Sequence, residues 1–344
     1  MRRHCMMVSK FFSLALITLL SIQLPAFAEE VNVYSSRKEA LIKPLLDRFT
    51  EQTGIKVNLI TGADDALISR LSLEGSKSPA DLLVTADAGR LHRAKVAQLL
   101  QPLESDFITQ RVPEHLIDVD QQWVGLTLRA RPIFYAKDRV DPSLITSYSD
   151  LTDEQWSRRI CVRSSDNIYN QSLMASMIAS EGEANALAFA QGLVANFARP
   201  PAGADTDQLK AAAAGVCDIA IANTYYFGRL LISDKAIDQK IAQRLGVIWP
   251  NQDDRGTHVN VSGIALTKSA KNKAQAIRLI EFMLTDESQT WYSEVNSEYP
   301  VVQGIEASEA LKSLGDFKAD ALNLSVLGVN NAAAVQLMDK AGWR

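Results

Sequence analysis

The sequence predicts an α/β protein built as two lobes joined by two crossing strands, and three observations lead there. A chain of 344 residues is longer than one compact core organises, so two domains are expected. From Glu29 onward, short apolar strands alternate with amphipathic helices, the pattern of a largely parallel sheet covered by helices. Two long extended runs, at 123–135 and 257–266, mark places where the backbone passes between lobes. A chain that leaves a lobe and later returns makes a hinge that can close over a ligand.

At the N-terminus, Arg2, Arg3 and Lys10 precede an apolar stretch at 11–20, and Ala26-Phe27-Ala28 puts small residues at a cleavage site after Ala28. Residues 1–28 therefore read as an export signal. A membrane anchor fits less well, because Ser21, Gln23 and Pro25 interrupt a run already short of the ~20 residues a span needs. The Arg2-Arg3 pair hints at twin-arginine export rather than the general secretory route, but its flanks fit that pattern poorly. No Cys stands at the cleavage point, which speaks against a lipoprotein.

The mature chain then reads in order. Residues 31–34 form a strand, and Leu41, Leu45, Leu46 and Phe49 space a helix over 39–52 that Gly54 ends. A strand at 55–60, a helix at 65–74 and a strand at 82–84 continue the alternation. In the second lobe, 159–163 is a strand, 164–167 a loop and Tyr169 onward a helix. Likewise 216–222 is a buried strand, Asn223-Thr224 a cap and Tyr225 onward a helix. After the second crossing an amphipathic helix begins near Asn272.

Composition excludes several functions. Without residues 1–28 the chain holds 33 basic against 40 acidic side chains, a net −7, where nucleic-acid binding calls for a basic face. The histidines (His4, His92, His115, His258) lack the paired spacing of a zinc site. Cys161 and Cys217 remain after Cys5 leaves with the signal. In an oxidising compartment they invite a disulfide, although two separate buried thiols would read the same. No G-x-S-x-G, H-E-x-x-H or glycine-rich phosphate loop supports an enzyme.

What carries chemistry is a set of phenols. Tyr169, Tyr225 and Tyr226 fall at carboxyl ends of strands and at helix N-termini, where open α/β sheets bind ligands and negative charge is favoured. A phenol keeps its proton up to a pKa near ~10 unless a strong cation displaces it. Hard, trivalent ferric iron matches a hard anionic phenolate oxygen. Three phenolates neutralise it, and a further anion would engage Arg37, Arg129 and Arg131, since arginine binds carboxylate-like anions in bidentate fashion. On pattern alone, the Tyr225-Tyr226 pair also suits packing or an interface, and Tyr34 suits a core.

VNVYSSR, TGIKVNLI, SPADLLVTADAGRL, WVGLTLRARPIFYAK, CVRSSDNIYNQSL, ANTYYFGRLL, RGTHVNVSG and EYPV occur in this order. Together they resemble the periplasmic ferric-ion-binding proteins of bacterial iron(III) ABC transporters, over essentially the whole mature chain. The resemblance implies a type 2 periplasmic binding fold of the transferrin-like group. It divides the chain into a first lobe of 29–127 with 258–300 and a second of 128–257 with 301–344. Tyr225 and Tyr226 become the iron-binding pair, and Tyr169 the third tyrosine of one branch. Arg37 and Arg129 become anchors for carbonate or a similar anion, and Cys161–Cys217 a structural disulfide. Where many members carry a His ligand, this chain has Lys38 and Glu39. Where some add a Glu, it reads Thr85-Ala86-Asp87, so Tyr34, Glu39 and Asp87 stay open as first-lobe ligands. The expected protein is a periplasmic monomer handing ferric iron to an inner-membrane ABC permease. The alternatives are a binding protein for a small organic cation or oxyanion and, more remotely, an exported hydrolase.

Overall fold

The computed structural model describes residues 29–344; the export signal and its cleavage point read from the sequence lie outside them. Strand β1 (Glu30–Ser35) buries Val31, Val33 and Tyr34, and pairs in parallel with β2 (Lys56–Thr61) and β3 (Leu82–Thr85). The helix expected over 39–52 is a 3-10 turn, Glu39–Leu41, followed by an α-helix, Lys43–Thr53. Pro44 explains the restart: proline suits a helix start, where its missing N–H is no loss. Gly54 closes the helix in the left-handed region at φ 73°. The short β4 (Leu100–Gln101) pairs with a later strand.

The extended run at 123–135 proves to be two strands in two sheets. β5 (Trp123–Ala130) belongs to the first sheet, and β6 (Ile133–Ala136) to the second. The break falls at Arg131-Pro132, because proline has no N–H for a ladder hydrogen bond. The second sheet adds β7 (Ile160–Cys161), β8 (Ile219–Ile221) and β9 (Leu245–Ile248) in the order β7-β8-β6-β9. Both β7 and β8 are shorter than 159–163 and 216–222. The chain turns away at Ser164, and Gly215 at φ 80° leaves Val216 exposed rather than buried in a strand. The chain then returns as β10 (Val259–Thr267), buried along its whole length and antiparallel to β5 and β3. β11 (Tyr299–Pro300) completes a first sheet ordered β11-β5-β10-β3-β1-β2.

Apolar side chains of the first sheet run without a break into those of the long helical segment Ile168–Ala195. A smaller core on the second sheet gathers Phe134, Leu209, Phe227 and both cysteines. Beyond β11 the chain packs on both: Leu311 enters the smaller core, the Leu324 N–H donates to the His115 carbonyl, and the Trp343 indole donates to the Arg163 carbonyl.

Cys161 and Cys217 form a disulfide across 56 residues of sequence, tying the end of β7 to the approach of β8. Closing a loop of this length restricts the unfolded chain, and replacing both cysteines by alanine should cost about 2–4 kcal/mol of stability. A lowered denaturant midpoint with a steeper slope, as the unfolded chain expands, is the expected readout.

Candidate metal centre

β7 and β8 are neighbours and parallel, so the connections that follow them emerge at the same edge of the second sheet. After β7 the chain enters the helical segment Ile168–Ala195, interrupted at Gly182 (φ 82°), whose N-cap Asn167 accepts from the Tyr169 N–H through its side chain. After β8 it enters the helix Thr224–Leu231 behind Asn223. Three phenols at the starts of two helices therefore converge. The Tyr225 hydroxyl donates to the Tyr169 hydroxyl oxygen at 3.2 Å, and the Tyr225 and Tyr226 ring centres lie 4.2 Å apart.

All three line one cleft of 190 Å³. Its remaining wall comes mostly from the first sheet: Ser36 and Arg37 after β1, Arg129 of β5, Ser262 of β10 and Glu298 just before β11. Arg229, one helical turn after Tyr225, also lines it. The guanidiniums of Arg129 and Arg229 stand 5.5 and 5.1 Å from the centre of the Tyr225 ring. Among the described residues no three His, Cys, Asp or Glu side chains are grouped to hold a metal. The cleft's donor set is phenolic.

Burial governs these phenols in the metal-free protein. It pushes the Tyr169 hydroxyl up to about 12, helped by Tyr226 and opposed by Arg129. Tyr225 is pushed well above the ordinary phenol value, first by burial and then by Tyr169 and Tyr226 beside it. Both are neutral at physiological pH, and a ligand that takes them as phenolates must supply positive charge to displace the protons.

Glu298 lies at the base of the cleft, 3% exposed, with one oxygen 2.8 Å from Arg37 and the other 3.2 Å from Arg129. Thr127 and Ser262 complete the cluster: Thr127 donates to Glu298 at 2.9 Å, and both arginines donate to the Ser262 hydroxyl. Burial pushes the Glu298 carboxyl up, but the two guanidiniums more than offset this and hold it below the usual carboxylate value. Arg37 and Arg129 each keep a buried Nε–H with no hydrogen-bond partner.

The comparisons agree with this architecture. Residues 45–319 match the model of the bacterial extracellular solute-binding protein family. The chain belongs to that family. Within it, the sequence is 45% identical over 320 residues to iron uptake protein A1 of Synechocystis sp., covering 93% of this chain and 89% of that one. A Trichodesmium structure in complex with iron and citrate ligands superposes with a TM-score of 0.89 at 48% identity, covering 92% of this chain and all of that one. The ferric binding protein from Campylobacter jejuni superposes at 0.86 and 41%, covering 91% of this chain.

Set in a solute-binding protein, the residues read from the sequence separate into two groups. Tyr169, Tyr225, Tyr226, Arg37 and Arg129 meet in the cleft. Arg131 does not: it is 1% exposed and bonded to Asp205, Asn223 and Asn170 inside the second lobe. Two residues apart in one strand, Arg129 and Arg131 would share a face, but β5 ends at Ala130 and the turn before Pro132 sends Arg131 the other way. Of the open first-lobe donors, the Tyr34 hydroxyl donates to Glu74, and Glu39 is exposed on the short 3-10 turn. Asp87 accepts from Gly89, Ser172 and Asn260, and burial lifts its carboxyl to about 6. None of the three lines the cleft. The sequence reading missed Glu298, Ser262 and Arg229; an acid directly before Tyr299-Pro300 and a cation four residues after Tyr225 were the available signals.

Two outcomes follow from this geometry. Glu298→Gln leaves two buried guanidiniums without their counter-charge and should destabilise the protein by about 3 kcal/mol, measured by chemical denaturation. Alkaline titration of the metal-free protein, followed by phenolate absorbance, should show at least two tyrosines ionising above the ordinary phenol range, and Tyr225→Phe should remove one of them.

Proposed function

We propose that this chain is a periplasmic solute-binding protein that captures ferric iron through Tyr169, Tyr225 and Tyr226 and passes it to an inner-membrane ABC permease. One observation carries the proposal: three phenol oxygens meet in one cleft whose only carboxylate, Glu298, is already paired to two arginines. A soft or divalent metal has better partners in thiolate, imidazole or carboxylate, whereas a hard trivalent ion suits three phenolates. The iron-related names and ligands of the relatives support the same cargo. It is a binding protein, not an enzyme, as its relatives are.

In this reading the lobes are 29–127 with 258–300 and 128–257 with 301–344, and the chain segments that run between the two sheets are the hinge. Export precedes function, with cleavage after Ala28, and the mature protein works as a monomer. Among the described residues no helix is long and apolar enough to cross a membrane. Carbonate or a similar anion completes the metal's coordination. Arg37, Lys38, Arg129 and Arg229 outnumber Glu298 in the cleft wall and supply the positive charge to hold it.

Protein given chelated ferric iron and bicarbonate should become coloured through phenolate-to-iron charge transfer, with one iron per chain by metal analysis. Tyr225→Phe should lose most of the colour and weaken binding by at least about a hundredfold, the upper scale for losing even an outer partner of a metal ligand. A colourless, metal-free wild-type protein after that treatment overturns the proposal.

A further inference from the structure

The tyrosine-bearing helix starts are not held by the disulfide alone. Between them lies a buried polar cluster that belongs to neither the cleft wall nor the apolar core. Asp205, fully buried at the start of the helix Asp205–Ala213, accepts through one oxygen from the Asn223 N–H at 2.8 Å and from Arg131 at 2.9 Å. Arg131 spans the cluster: one nitrogen reaches Asp205 and the Asn223 side chain at 2.9 Å, the other reaches Asn170 at 2.6 Å. Asn170 in turn donates to the carbonyls of Arg163 and Ser164, fixing the loop that leads to Tyr169.

The chain positions matter. Asn170 directly follows Tyr169, and Asn223 stands two residues before Tyr225. Asn223 sits at the N-cap of Thr224–Leu231 yet makes no side-chain cap bond; its oxygen serves Arg131 instead. That is a departure from the ordinary use of Asn at this place. Arg131 and Arg163 also stand 6.0 and 5.7 Å from the centre of the Tyr169 ring, with Asp205 between them as counter-charge. A planar guanidinium with fixed forks can set the spacing of two loops as a lysine cannot.

Resting on the ferric-iron reading, we infer that Arg131 and Asp205 are positioning residues. They set the separation and orientation of Tyr169 against Tyr225 and Tyr226, and so the affinity and electronic structure of the bound metal. Neither touches the cargo. Groups that orient metal ligands from behind are worth about tenfold to a hundredfold in metal affinity.

The test compares Arg131→Lys, Asp205→Asn and Asn223→Ala with wild type, loading each with ferric nitrilotriacetate in bicarbonate buffer. Competition with citrate gives relative affinity, the visible maximum reports phenolate–iron geometry, and metal-free melting reports stability. Asp218→Asn is the control: Asp218 pairs with Arg139 and Arg159 at the other end of β8, so its loss destabilises the same lobe away from the tyrosines. Arg131→Lys and Asp205→Asn should weaken iron binding by about tenfold or more and move the visible maximum, while Asp218→Asn stays within about twofold with an unmoved band. Asn223→Ala, which removes a single acceptor, is expected to fold and to shift the band in the same direction should the other two prove too unstable to load. The inference fails if Asp205→Asn and Asn223→Ala both match wild type in affinity and band while Tyr225→Phe is bleached. If wild type itself takes no colour, the ferric-iron reading falls and this inference with it.

Discussion

A parallel pairing only two residues long, between β7 and β8, is what the binding cleft depends on. Parallel neighbours deliver their following loops to one edge of a sheet, and here both loops open into helices whose first turns carry tyrosine. So short a ladder cannot hold its register by backbone hydrogen bonds alone. The Cys161–Cys217 disulfide links the end of β7 to the approach of β8, and the buried Arg131 cluster ties together the two loops that follow the strands. Apolar packing around Phe134 and Phe227 fills the space behind.

The electrostatics of the cleft follow from that placement. Helix N-termini present partial positive charge, and Arg37, Lys38, Arg129 and Arg229 add whole charges, against the single carboxylate of Glu298. Such a field favours ionised phenols, but burial acts in the opposite sense and wins in the metal-free state for Tyr169 and Tyr225. Tyr169 and Tyr225 therefore rest neutral within positive walls. Glu298 keeps the arginines tethered, since unpaired guanidiniums at 2–4% side-chain exposure would be costly to bury.

How much of this could be read from the residues varies with the distance over which each contact acts. The tyrosines were legible because strand, loop and helix start are consecutive in sequence and each has a local signal. The strand limits were less so: β7 already ends at Cys161 and β8 begins only at Ile219, inside the apolar runs that suggested longer strands. Arg37 could be recognised as a cation after a strand, but its partner Glu298 is 261 residues away, and no spacing rule spans that gap. Arg131 was grouped with Arg129 because both lie on the first crossing, but β5 ends at Ala130, between them. Pro132, visible in the sequence, was the warning that the strand does not continue.

The balance of charge also bears on what enters the cleft. A bare trivalent cation approaching a wall of three guanidiniums, the Lys38 ammonium and one carboxylate meets net repulsion until the phenols release their protons. Those protons leave only once the metal is close. The anion of the proposed reading would break this circle, since a charge that screens these cations lowers the cost of bringing the metal among them. The same logic orders release. Acid would compete with the metal for the phenolate oxygens, and burial already favours the protonated forms of Tyr169 and Tyr225. With Tyr169 and Tyr225 neutral in a positive cleft, the resting state has little affinity for any cation that comes alone.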